Sequence, residues 1–356
     1  MSSPLKIHIL GVGSIGSLVA HDLKRAFPSL VTPILLLRPD SLANPSPQHQ
    51  IHLTRIKNNQ LITSNIETPS AKPPNVKETI ENLIISTKTG HTIEALRPYV
   101  PQIKPSTNIL ILQNGMGMSR TLLDKFWSSS ISRPNIFEGS TTHGAYIQDG
   151  IVQHVASGTI SLSEFPGNNP HHPERFLSIL ELPDMIKYIL DAPELNASFH
   201  EYNKFLLIQV EKLIVNCCIN ALTALFDCKN GELLYSNDIL FLWKKIINEA
   251  KLVLVQEYSM LNDVEEAKQF LDTDRLLNKV IGVADLTKAN SSSMRQDIRN
   301  LRITEIENLN GFIGLLGRKH NLGVPLNVTL TSLIRSKLAI ERGIDQVAAA
   351  ELLMEQ

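Results

Sequence analysis

The sequence predicts an α/β fold: an N-terminal domain built on a parallel sheet, followed by an all-helical C-terminal domain. Three observations carry this. Short apolar runs alternate with helix-like stretches through the first half, a glycine-rich hexamer follows the first of those runs, and beyond about residue 200 every periodic segment repeats at helical spacing.

Taken in order, "KIHILGVG" reads as a strand and residues 14–27 as a helix, followed by the strands "VTPILLLR", "ENLIISTK" and "TNILILQNGMG". Residues 39–80 are rich in Pro and Asn, with weak strand signals at "IHLTRI" and "NQLITSN", and read as a loose insertion. The stretch "GAYIQDGIVQHVASGTISLS" reads as antiparallel strands turning at Asp149-Gly150, the φ > 0 pair that tight hairpins favour. The chain loosens through "EFPGNNPHHPE", forms a short element near residues 174–190, and passes a boundary at "DAPELNASFHEYN". This gives domains at 1–198 and 199–356.

The bulk numbers describe an ordinary globular chain of 356 residues, long enough for two cores. A net charge of -1 offers no field to recruit nucleic acid or an anionic membrane, so neither is expected as a partner. The start, "MSSPLKIHIL", shows no targeting pattern, and the apolar runs read as too short for a membrane span. Cys217, Cys218 and Cys228 are odd in number and lack CxxC spacing, which argues against a disulfide framework and a structural zinc site. A reducing, cytoplasmic location is expected. No metal is expected either: the eleven histidines form no ligand motif, and His171-His172 sit in the Pro/Asn stretch.

Gly11-Val12-Gly13-Ser14-Ile15-Gly16 follows a strand and opens a helix, the setting in which this pattern binds a dinucleotide. The first domain is therefore expected to be Rossmann-like. Past the second strand, a carboxylate would suit the ribose hydroxyls of NAD and a cation the 2′-phosphate of NADP. Arg38 stands there, which favours NADPH/NADP+; Asp40, close by, keeps NAD open.

In "KLIVNCCINALTA", residues 212–224, Lys212, Asn216 and Asn220 recur at intervals of four, with Gln209 and Thr223 in the same arc. This is one polar stripe on an otherwise apolar helix, and a buried polar stripe requires partners. A second segment, "NSSSMRQDIRNLRITEIENLNGF", predicts a helix from a capping box at Ser293 and Gln296 running past Phe312. Ile298, Leu301, Leu309 and Phe312 would form its apolar face, with Glu305 projecting from the middle. If the two helices meet, Lys212 lies near Glu305 with Asn216, Asn220 and Ser293 around them. Spacing leaves two readings open: a structural ion pair, or a proton donor with its carboxylate. His143 in "TTHGAY" reads as a cleft residue or as a turn or core residue. Met116, Met118 and the adjacent cysteines read as packing.

Together "GVGSIG", "ILQNGMG", "TTHGAY", "HVASG", "KLIVNCCINALTALFDCKNGEL" and "SSSMRQDIRNLRITEIENLNGF" resemble ketopantoate reductase, the 2-dehydropantoate 2-reductase family of pantothenate biosynthesis. The resemblance extends in order from about residue 7 to about residue 327. It implies NADPH-dependent reduction of a small 2-keto acid, 2-dehydropantoate, to (R)-pantoate. It also implies Lys212 as general acid, Asn216 orienting it, and Glu305 as a third catalytic group. Asn220 and Ser293 would bind substrate. Lys88 and Asn114 would border both substrate and nicotinamide, and Glu305 would also touch the cofactor. Lys88 would otherwise pass as an ordinary lysine after a strand. Where the family often has Trp and Pro, this chain has Val210 and Ala221, which removes no chemical group. A monomer or homodimer is expected. Two alternatives stand beside this reading: a catalytically idle relative that senses NADP or binds protein, and a reductase of another branched 2-keto acid.

Overall fold

The computed structural model describes residues 3–39, 45–57, 60–73, 76–168, 178–262 and 265–354. The chain divides into two compact units. One comprises Met1–Gln113 and Gly117–Phe205; the other comprises Asn114–Met116 and Leu206–Gln356.

In the first unit the strands are β1 (Leu5–Leu10), β2 (Val31–Leu36), β3 (His49–Lys57), β4 (Gln60–Thr68), β5 (Ser70–Ala71), β6 (Ile80–Ile85), β7 (Ile103–Leu112), β8 (Asn135–Thr141), β9 (Gly144–Gln148), β10 (Ile151–Ala156), β11 (Ile160–Glu164) and β12 (Ala197–Phe199). Its helices are α1 (Ser14–Ala26), α2 (Thr92–Leu96), α3 (Met118–Phe126) and α4 (Asp184–Asp191). An eight-stranded sheet runs β12-β11-β8-β7-β6-β1-β2-β5, parallel except where β11 meets β8. With the β3–β4 hairpin set aside, β5-β2-β1-β6-β7-β8 is the 3-2-1-4-5-6 order of a dinucleotide-binding sheet.

Both faces of this sheet are covered, which is why β6 and β7 end in unbroken apolar runs at 83–85 and 109–112. Ile7, Ile9, Ile84 and Leu110 pack with Leu18 and Leu23 of α1 and Ile186 of α4. Leu83, Ile85, Ile109 and Ile111 pack on the other side with Leu96, Leu122 and Trp127.

Residues 39–80 differ from the loose insertion expected. β3 and β4 form a nine-residue hairpin in register from His49↔Thr68 to Lys57↔Gln60, and with β10 and β9 they make a second sheet, β4-β3-β10-β9. Residues 40–44, 58–59 and 74–75 of the stretch lie outside the described residues. α1 is enclosed between the two sheets: residues 16 to 23 are all buried, and Leu18 and Val19 share a core with Ile51, Leu53 and Ile66. The hairpin turn expected at Asp149-Gly150 joins β9 to β10, with φ of 51° and 78°.

Enclosure buries charge as well. Arg55 of β3 donates to Asp22 of α1 at 2.6 Å and to Glu194 at 2.6 Å, and His21 lies 2.8 Å from Asp22 and 3.0 Å from Ser64 of β4. The pattern of β3 was hard to read because its inward Arg55 is matched by a carboxylate on a helix far away in sequence.

In the second unit the helices are α5 (Tyr202–Phe226, which begins in the first unit), α6 (Asn237–Glu257), α7 (Glu265–Phe270), α8 (Thr273–Leu286), α9 (Ser293–Arg299), α10 (Asn310–His320) and α11 (Pro325–Met354). Contrary to the reading of its apolar runs, α5 is long and apolar enough by length and composition to cross a membrane. Yet 67% of its apolar window is buried within the protein, as in a core helix. Trp243 of α6 is fully buried and donates to the Cys218 carbonyl at 3.0 Å. Glu249 of α6 accepts the Leu326 and Asn327 amides, both at 2.9 Å, and so closes the start of α11.

Removing Arg55 would strand Asp22 in the interior. Arg55→Ala is expected to cost about 3–5 kcal/mol of folding stability, read from urea denaturation. A loss below about 1 kcal/mol would mean that the pair does not hold the hairpin to α1.

Candidate active site

The glycine loop lies at the carboxyl end of β1, beside the carboxyl end of β6. Gly11 has φ +106°, and a Cβ there would fall on the Thr87 backbone; a Cβ at Gly16 would fall on the Gly11 carbonyl and Ser86 Oγ. These two glycines are required by close packing, and Ser86 Oγ donates to the Gly11 carbonyl at 2.8 Å to hold the turn. Gly13 is different: nothing lies within 4 Å of where its Cβ would be. The helix it opens carries no acidic residue in its first turn, and Ser14 and Ile15 are half-buried at its start. An open backbone at an unneutralised helix N-terminus suits a pyrophosphate, so the loop fits a dinucleotide. Arg38 follows β2 and is exposed; Asp40 lies outside the described residues. Lys88 follows β6 at the same sheet end as the loop and is half-buried.

In the second unit Lys212, Asn114 and Glu305 come together. Lys212 Nζ donates to Asn114 Oδ1 at 3.1 Å, and Asn114 Nδ2 donates to Glu305 Oε2 at 3.1 Å. The amide orientation follows from valence, since an ammonium only donates and a carboxylate only accepts. Burial pushes Lys212 down from its usual range to about 8, while the Glu305 charge pulls it upward. Asn216 and Asn220, half-buried, continue along the Lys212 face of α5.

The long helix expected from Ser293 past Phe312 does not form. α9 ends at Arg299, Leu301 takes φ 53°, and a separate turn at Ile306–Asn308 precedes α10. The stop is built from afar: the Leu301 carbonyl accepts both Arg342 Nε at 3.0 Å and Nη2 at 2.8 Å from α11. Glu305 therefore leads into a 3₁₀ turn and does not project from a helix face. The cap of α9 is also one residue earlier than expected. Ser292 accepts the Arg295 amide at 3.1 Å and receives Thr223 Oγ1 of α5 at 2.7 Å, while Ser293 is exposed beside it.

Several contributors escaped the sequence reading. Gly115 has φ +87°, and a Cβ there would stand 2.7 Å from the Asn308 carbonyl oxygen, so only glycine lets Asn114 lie against the Glu305 turn. Asp227, just past α5, receives Arg295 Nε at 2.9 Å and Arg299 Nε at 2.8 Å, anchoring α9; these guanidiniums hold its carboxyl down at about 2. The pairing of two arginines four apart with an aspartate after a helix was a visible signal. His143 takes a core role: it is buried, 3.0 Å from both His154 and the Leu195 carbonyl. Cys217 and Cys218 are buried and free, and burial raises both thiols. Among the described residues no group of metal-ligating side chains occurs; His171 and His172 lie outside them.

Residues 7–167 match the family described as Ketopantoate reductase PanE/ApbA, and residues 204–338 match Ketopantoate reductase PanE/ApbA C terminal. A Schizosaccharomyces pombe protein named "Probable 2-dehydropantoate 2-reductase" is 33% identical over 94% of this chain and 97% of its own length. The chain belongs to the ketopantoate reductase family. Another relative, the 2-dehydropantoate 2-reductase of Saccharomyces cerevisiae, is 31% identical over 94% of this chain and 95% of its own. The fold is also similar to that of a D-mandelate dehydrogenase solved in a ternary complex with NADH and anilino(oxo)acetate. That likeness has a TM-score of 0.74 at 22% identity, covering 95% of this chain and 100% of the other.

Within this ketopantoate reductase family member, Glu305 opposes the desolvation of Lys212. Glu305→Gln removes that charge and is expected to shift the Lys212 titration below about 8, read by NMR of the labelled lysine side chain. An unchanged midpoint would mean that the carboxylate does not reach the ammonium electrostatically.

Proposed function

We propose that this protein catalyses the NADPH-dependent reduction of 2-dehydropantoate to (R)-pantoate, a step of pantothenate biosynthesis. The observation that carries the proposal is the Lys212–Asn114–Glu305 chain in a member of this family. A lysine lowered to about 8 is mostly protonated at neutral pH yet gives its proton up readily, which suits a general acid.

Bound to the glycine loop, the reduced nicotinamide would supply the hydride that the keto carbon takes up. Lys212 Nζ delivers its proton to the keto oxygen as charge develops there, and the resulting amine regains a proton from solvent. The Asn114 carbonyl keeps the Nζ in place, with Asn216 along the same helix face assisting. Asn220, Ser293 and Lys88 bind the substrate's polar groups, and Glu305 stabilises the ammonium and meets a substrate hydroxyl.

Cofactor choice rests on Arg38. The D-mandelate dehydrogenase with this fold was solved with NADH, so the fold alone does not select the phosphate. An exposed guanidinium after β2 favours the 2′-phosphate of NADPH, to which it can make paired, charge-assisted hydrogen bonds.

The purified protein, mixed with NADPH and 2-dehydropantoate, should consume the reduced nicotinamide. Lys212→Ala should lower kcat about 10²- to 10⁴-fold with NADPH binding nearly intact. Because the acid must carry its proton, the wild-type rate should fall as pH rises through about 8. Tight NADPH binding without turnover of this or any related 2-keto acid would instead establish the idle-relative reading. For the cofactor, Arg38→Ala should raise the KM for NADPH about tenfold and leave that for NADH unchanged. An equal effect on both would remove Arg38 from phosphate recognition.

A further inference from the structure

Gln113 has no part in the chemistry proposed above, yet its amide is committed to a single loop. It follows the last residue of β7, and since Ile85 of β6 pairs with Ile111, the residues two further along are Thr87 and Gln113. Gln113 Nε2 donates to the Thr87 carbonyl, to Thr87 Oγ1 at 2.9 Å and to Thr92 Oγ1 at 2.7 Å, and the two hydroxyls lie 2.9 Å apart. A backbone carbonyl cannot donate, so the amide nitrogen must face it and the side chain has one usable orientation.

The groups it holds bracket Lys88. Thr87 precedes it and Thr92 closes the turn behind it, with the His91 amide donating to the Lys88 carbonyl at 2.9 Å. Thr92 is fully buried, and its hydroxyl also reaches the Lys88 carbonyl at 3.5 Å, so the amide, the two hydroxyls and the Lys88 backbone form one network. The loop is short in regular structure: Thr89–His91 is a single 3₁₀ turn and α2 is five residues long.

We propose that Gln113 is a positioning residue that sets Lys88 by clamping the loop 87–92 on both sides of it. The inference rests on the reading of Lys88 as a substrate- and nicotinamide-side group. It goes further by tying the lysine's placement to one amide in β7's extension, next to the asparagine that holds the proton donor.

A double-mutant cycle tests it. Gln113→Met keeps length and shape without the donor, and is expected to lower kcat/KM roughly tenfold to a hundredfold by misplacing Lys88. Lys88→Ala is expected to lower it at least as much. If Gln113 acts through Lys88, adding Gln113→Met to Lys88→Ala costs less than about twofold more. The full loss in both backgrounds, or wild-type kcat/KM in Gln113→Met, would overturn the proposal. If Lys88→Ala alone is harmless, the role given to Lys88 fails and this inference with it, while Lys212→Ala still reports on the reaction itself. Should Gln113→Met not fold, Thr92→Val removes the far anchor, and the same cycle with Lys88→Ala decides by the same criteria.

Discussion

The amide of Asn114 is the contact on which the lysine and carboxylate of the second unit depend. A lysine and a carboxylate are each expensive to remove from water, and here both face the same primary amide, which offers an oxygen to one and a nitrogen to the other. The amide keeps the ions hydrogen-bonded without requiring a direct clamp between them. Burial lowers the Lys212 ammonium to about 8 and the Glu305 charge opposes that shift without cancelling it. The polar stripe of α5, which looks like a defect on an apolar rod, is the condition for placing a titratable ammonium inside a helical unit.

Each unit also uses backbone conformations that few residues tolerate. Gly115 is needed because the Asn308 carbonyl occupies the space a side chain would take, and Gly11 because the Thr87 backbone does. Arginines serve as remote stops and anchors: Arg342 ends α9 by taking the Leu301 carbonyl, and Arg295 and Arg299 hold α9 to Asp227. Glu249 does the same for the start of α11. Local geometry in both units is thus set by charged groups arriving from distant parts of the chain.

That pattern explains what could be read in advance. The glycine hexamer, the apolar runs of β6 and β7, the Asp149-Gly150 turn and the stripe on α5 are local signals, and each corresponds to its element. The break after α9 carries no local mark, because the left-handed Leu301 presents its carbonyl to donors of Arg342, far away in sequence. The hairpin of β3 and β4 looked loose because its buried Arg55 makes sense only beside Asp22. Glu305 was correctly brought near Lys212 by the need for a buried counter-charge, though on the wrong element. The bridging amide carries no periodic signal, because Asn114 lies on neither helix and only the family resemblance singles it out.

Asn114 and Gly115 also form an Asn-Gly pair, the dipeptide in which the following backbone nitrogen most easily attacks the side-chain amide to give a succinimide and then a carboxylate. Folding guards this bond: the amide is tied at both ends and Gly115 is pressed against Asn308. Unfolding removes that guard. A molecule that ages there would exchange a neutral bridge for a third charge between Lys212 and Glu305, losing the donor to Glu305. The protein's chemical shelf life is therefore coupled to its conformational stability, because the bond is open to that hydrolysis only when the chain opens.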